Sequence, residues 1–78
     1  MNTKEKIFEL INDLEFALHP MGVAQIKEFT QYNELKLAME TICDHLEESK
    51  IEINQSLKTR IENLAQILEV PPNYWEDL

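Results

Sequence analysis

The chain has 78 residues, 15 acidic and 7 basic, with a net charge of −8 and an apolar share of 44%. That charge disfavours nucleic acid and anionic membrane and favours a basic protein surface, while the apolar share excludes a disordered chain. The length predicts one domain, residues 1–78, near the lower limit for a self-sufficient core. The single cysteine, Cys43, allows no intramolecular disulfide.

The first predicted helix runs from about Thr3 to Leu18. Ile7, Leu10, Ile11, Leu14 and Leu18 recur at the spacing of one buried helical face. Asn2 with Glu5 forms a capping pair, with Thr3 a competing cap. His19-Pro20 ends the helix, because Pro20 disfavours helical backbone at His19. A shorter helix follows over roughly Val23 to Tyr32, with Val23, Ile26 and Phe29 inside. Asn33 then reads as the N-cap of a third helix whose inner stripe is Leu35, Ala38, Met39, Ile42 and Leu46. This helix is expected to fray near Ser49-Lys50. Ile51-Glu52-Ile53 makes an extended connector, with both isoleucines tucked under the bundle. Asn54 caps a fourth helix carrying Leu57, Ile61, Leu64, Ala65 and Leu68 inward. Val70-Pro71-Pro72 stops it, and Pro72 starts a last turn through Leu78.

There is no strand pattern, no Asn-Gly hairpin, no glycine-rich loop and no repeat. The expected fold is all-α: a compact bundle of four main helices plus a short C-terminal helical turn. The start Met1-Asn2-Thr3-Lys4-Glu5-Lys6 has no apolar stretch behind it, and no run approaches the roughly 20 apolar residues of a membrane span. The expectation is a soluble, cytoplasmic protein.

Catalytic and metal chemistry finds little support in the residues. Cys43 and His45 stand two apart on a helix and face different directions, Cys43 at the edge of the core face and His45 away from it. A packed thiol and a surface imidazole are the simpler reading. Neither histidine has zinc-type spacing to a second ligand, so no enzyme activity, metal or cofactor is expected. Acyl carrier proteins share this size, acidity and helix number, but they carry an Asp-Ser-Leu motif early in the second helix. Gln55-Ser56-Leu57 lacks the aspartate and falls in the fourth helix, so Ser56 reads as an ordinary first-turn residue.

The acids carry the remaining signal. Glu40, Asp44, Glu47 and Glu48 fall on one ridge of the third helix, opposite its apolar stripe. Like charges at this spacing cost a few tenths of a kcal/mol per pair. Three of them also crowd the helix end where the macrodipole prefers cations. Leu37 lies on the same ridge, an apolar residue inside an acidic rim, which is how an interface centre is built. Glu5, Glu9 and Asp13 repeat the theme on the first helix, where Phe16 points outward and Phe8 lies off the main apolar face. Tyr74 and Trp75 adjoin Glu76 and Asp77, a pairing of aromatics with acids common at interface hot spots. Each feature also has a plainer explanation. The ridge can be a solvated face, Trp75 can cap the core, and Phe8, Phe16 and Leu37 can form a dimer seam.

Several residues of the second half group into a pattern. Tyr32-x-Glu34 leads into Ala38-Met39-Glu40-x-x-Cys43-Asp44-x-Leu46-x-Glu48, followed by Ile51-x-Ile53, Ile61-x-x-Leu64-Ala65 and Tyr74-Trp75-x-x-Leu78. Over residues 32–78 the chain resembles the MafI immunity family and similar small helical immunity proteins of polymorphic, contact-delivered bacterial toxins. The resemblance implies a cytosolic protein that binds one cognate toxin domain, often a nuclease, in a one-to-one complex and blocks it. A nuclease needs a basic groove for phosphates, and an acidic helical surface can occupy or flank it. Ala38, Cys43 and Leu46 would then be structural. The expected partner surface is Leu37, Glu40, Asp44, Glu47 and Glu48, with Glu9, Asp13, Tyr74 and Trp75 next in rank. Two other readings stay open: an acidic adaptor or antitoxin-like regulator of a basic cytosolic protein, and a small structural homodimer.

Overall fold

The helix caps explain where each element begins and ends in the computed structural model, which describes residues 2–78. Asn2 opens helix α1 (Thr3–Leu14), its side-chain oxygen accepting the Glu5 amide at 2.9 Å. Asn54 opens α4 (Gln55–Ile67) in the same way through the Leu57 amide at 2.9 Å. Both caps agree with the sequence reading, and each satisfies one of the orphan donors of a first turn.

Two boundaries fall elsewhere than expected. The first helix does not continue to Leu18. It tightens after Leu14 into a 3₁₀ turn, Glu15–Ala17, and Leu18 is already extended. The second helix, α2, begins at Pro20, three residues before the expected start, and ends at Gln31. Proline is well suited to the first helical position, where its fixed φ fits and its missing N–H costs nothing. Pro20 therefore ends one element and begins the next. His19 is the cap between them, its Nδ1 accepting the Met21 amide at 3.1 Å.

Asn33 also plays a different part from the one expected. It adopts a left-handed conformation, φ 62°, and terminates α2 rather than capping α3. Its N–H donates to the Thr30 carbonyl at 3.1 Å, and the Glu34 N–H donates to the Phe29 carbonyl at 2.9 Å. This pair of bonds closes a Schellman motif, with asparagine tolerated where glycine is usual. Helix α3 then runs Leu35–Ser49 with Glu34 as N-cap and no side-chain capping bond. Helix α4 ends by the same motif. Glu69 sits at φ 60°, its N–H donates to the Gln66 carbonyl at 3.2 Å, and the Val70 N–H donates to Ala65 at 2.8 Å. Val70 is buried, the apolar contact that accompanies such ends. Lys50, at φ 58°, closes α3. A last 3₁₀ turn, Pro72–Tyr74, starts at Pro72 as expected.

The buried side chains form one cluster, so four helices share a single core, and no strand occurs among the described residues. Ile7, Leu10, Ile11 and Leu14 of α1 meet Ile26 of α2, the inner stripe of α3, and Leu57, Ile61, Leu64 and Ala65 of α4. Burying each leucine, isoleucine or methionine of this cluster is worth about 1.5–3 kcal/mol. Thr30 is fully buried as well, and its hydroxyl donates to the Ile26 carbonyl at 2.8 Å, which makes it tolerable in an apolar core. Ile53 packs against the core, but Ile51 does not: it is 45% exposed, contrary to expectation. Regular alternation would place both isoleucines on one face; the left-handed turn at Lys50 and the Ile51 N–H bond to the Ser49 hydroxyl at 3.3 Å instead hold Ile51 at the end of α3, outside that pattern. No helix among the described residues is long and apolar enough to cross a membrane.

Candidate partner-binding surface

Helix α3 has the two faces its sequence implies. Ala38, Met39, Ile42 and Cys43 are fully buried, while Asp44, Glu47 and Glu48 are exposed and Glu40 is half-buried. Leu37 lies outside the core at 38% exposure, on the ridge with the acids. Its carbonyl accepts the Thr41 hydroxyl at 2.7 Å, which ties up the one neutral polar side chain beside it. Asp44, Glu47 and Glu48 share a shallow hollow with Lys50. Among the described residues no ridge acid lies within salt-bridge distance of a cation, Lys50 included.

The acids of the first helix sit differently. Asp13 accepts from the Arg60 guanidinium at 2.8 Å, and Glu9 lines a groove between α1 and α4 together with Lys6 and Arg60. Glu15 in the following turn is held by Lys27 at 3.4 Å. Phe16 projects outward, as expected. Phe8 packs against the core instead, so the seam composed of Phe8, Phe16 and Leu37 lacks a free Phe8.

The C-terminal aromatics are occupied internally. Tyr74 and Trp75 pack against the core, and the Trp75 indole N–H donates to the Val70 carbonyl at 3.1 Å. Trp75 thus closes the end of α4, the plainer of its two readings, with only its outer part left to a partner.

Two residues differ from the sequence reading in a way that matters here. Cys43 is not at the core's edge but wholly inside it, and burial pushes its thiol up to about 12, with the charges of Asp44 and Glu40 adding to the rise. At neutral pH it is a packed thiol without nucleophilic character. His45 is not a free surface imidazole. It is half-buried and its ring lies over Gly22 on α2, where an added Cβ would stand only 3.2 Å from its Cε1 and Nε2. A single glycine and a histidine ring gave no periodic signal, so sequence reasoning missed this contact.

The structure thus brings together Leu37, Asp44, Glu47 and Glu48 with Glu40 at their inner edge. It leaves Glu9 and Asp13 on a separate face, and Tyr74 and Trp75 at the C-terminal end. The chain matches no family model, no curated protein and no solved structure.

Proposed function

We propose that this protein is a cytosolic immunity protein that binds and neutralises a cognate contact-delivered toxin domain, a basic nuclease. It works by occupation of a surface, without catalysis or cofactor. One observation carries this reading: Asp44, Glu47 and Glu48 of α3 are exposed on a single ridge with Glu40 half-buried at its inner edge, and no cation of the described chain pairs with them. Holding such a ridge costs helix stability, and a basic partner repays that cost on binding. Leu37 at 38% exposure supplies the apolar centre. Complementary charge also accelerates capture, which suits an inhibitor that must reach a toxin before the toxin reaches its substrate. The test is co-purification with the protein encoded upstream, repeated with Asp44 and Glu48 both reversed to lysine. The wild type should form a one-to-one complex and the reversed chain should not, with helix content unchanged. Equal binding by both would reduce the ridge to a solvated face.

A further inference from the structure

A second feature borders the acidic ridge on its α2 side. The start of α2 and the later turns of α3 enclose a shallow groove of about 560 Å³, lined by His19, Met21, Gly22, Gln25, His45 and Glu48. Most of this lining is apolar in character: a methionine thioether, two imidazole rings and the bare Cα of a glycine. Met21 is 77% exposed, the most exposed of the large hydrophobic side chains among the described residues. Glu48 is the one formal charge in the lining, and no lysine or arginine contributes. Its next turn on the ridge, Asp44, extends the negative rim.

The chain's only glycine lies here. Three left-handed positions, Asn33, Lys50 and Glu69, would each be relieved by glycine and have none. Gly22 instead sits at an ordinary helical position, where its missing Cβ leaves room for the tip of the His45 ring against α2. The ring thereby forms one wall of the groove.

We infer that this groove receives an arginine side chain from a basic segment of the partner protein. An arginine has the two-part character of the lining. Its methylene stem covers apolar surface, and its guanidinium stacks on flat π-systems and donates in a fork to a carboxylate. The stem lies along Met21 and the His45 ring, and the head reaches Glu48. Charge complementarity selects the occupant: a neutral apolar anchor would leave Glu48 unanswered, and a lysine would meet the carboxylate but not stack. This inference rests on the reading of the α3 ridge as a surface for a basic protein, and it names the side chain which that surface selects.

The groove can be tested without the toxin. The isotope-labelled full chain is titrated at low salt with blocked tetra-arginine and tetra-lysine peptides of equal charge, followed by amide and methionine-methyl resonances. Tetra-arginine should bind about threefold to tenfold more tightly, as expected of stacking added to equal charge. Its shifts should concentrate on Met21, Gly22, Gln25, His45 and Glu48. Met21→Ser, a change at an exposed position that leaves folding alone, should bring the two peptides to equal affinity, and Glu48→Gln should weaken the arginine peptide more than the lysine one. Equal affinity of both peptides for the wild-type chain would overturn the inference, as would shifts spread evenly over the acids of α1 and α3. Because no toxin is present, that failure is separate from failure of the immunity reading, which the double charge reversal decides.

Discussion

Helices α1 and α3 both present acids to the outside, but the two sets are answered differently. On α1, Asp13 is gripped by Arg60 from α4, and Glu9 shares a groove with Lys6 and that same arginine. Just beyond, Glu15 meets Lys27, while Lys4 donates to the Gln31 carbonyl at 2.9 Å. Four of the seven basic residues are thus gathered around α1. On α3 the acids face outward with Lys50 in the same hollow but beyond salt-bridge distance. The lesson is that negative charge alone does not mark an interface. What distinguishes α3 is charge that the fold leaves uncompensated.

The largest expected effect comes from breaking this difference directly. Reversing Asp44 and Glu48 to lysine should cost about 2–5 kcal/mol of binding to the basic partner, seen as slower association and lost protection of cells. The matched reversal of Glu9 and Asp13 on α1 should cost far less, because those charges are already spent at home. Titration calorimetry on both double variants decides the matter. A larger loss from the α1 pair would move the interface to the α1–α4 face.

Cys43 reports on the ridge from beneath. Its thiol pKa is raised from 9.0 to about 12 in the fold, so the native state keeps a proton that the unfolded chain releases. That contribution to stability is fully present below 9.0 and is lost as pH rises toward about 12. The slope is about 1.4 kcal/mol per pH unit for one proton. Urea titrations of the wild type and Cys43→Ala should therefore cross within about one pH unit above 9.0, the variant starting about 1 kcal/mol less stable at neutral pH and becoming the more stable chain beyond the crossing. Asp44→Lys should lower the thiol's apparent pKa in an ultraviolet titration of thiolate absorbance, since Asp44 is one cause of its elevation. An unchanged profile would mean that the ridge exerts no field on the core below it.

Lys50 offers a smaller effect with two readouts. It holds a left-handed backbone at the end of α3, and it is the cation in the hollow of Asp44, Glu47 and Glu48. Lys50→Gly should relieve the backbone and stabilise the fold by about 0.5–1 kcal/mol. It should also speed association with a basic partner by making the hollow more negative. Thermal melts and stopped-flow association test the two separately, and slower association would place Lys50 inside the contact.

Arg60→Ala should have the smallest effect. An exposed ion pair is worth about 0–1 kcal/mol, so melting should shift little. The variant frees Asp13 and makes the charge on α1 resemble that on α3. Partner affinity should still stay within about twofold of the wild type, because Leu37 and the α2–α3 groove are absent from that face. A clear gain would show that uncompensated charge is sufficient by itself.

Much of this molecule follows from local physics and was legible in the chain. The apolar periods of α1, α3 and α4, the caps at Asn2 and Asn54, and the stop and restart at Pro72 depend on residues within one or two helical turns. The placement of the acids on one side of α3 follows likewise from helical spacing. Tertiary contacts decided the rest. Asn33 could cap a helix start or end one, and the Schellman bonds that chose the second role depend on how α2 finishes. Trp75 could face a partner or the core, and the Val70 carbonyl holds it inward. That Arg60 would find Asp13 across 47 residues, while Glu40, Asp44, Glu47 and Glu48 would find no cation at salt-bridge distance among the described residues, depends on which helix sides meet. So does the approach of Gly22 on α2 to His45 on α3. Charge and period are properties of a segment; whether a charge is compensated, or a ring covered, is a property of the packing.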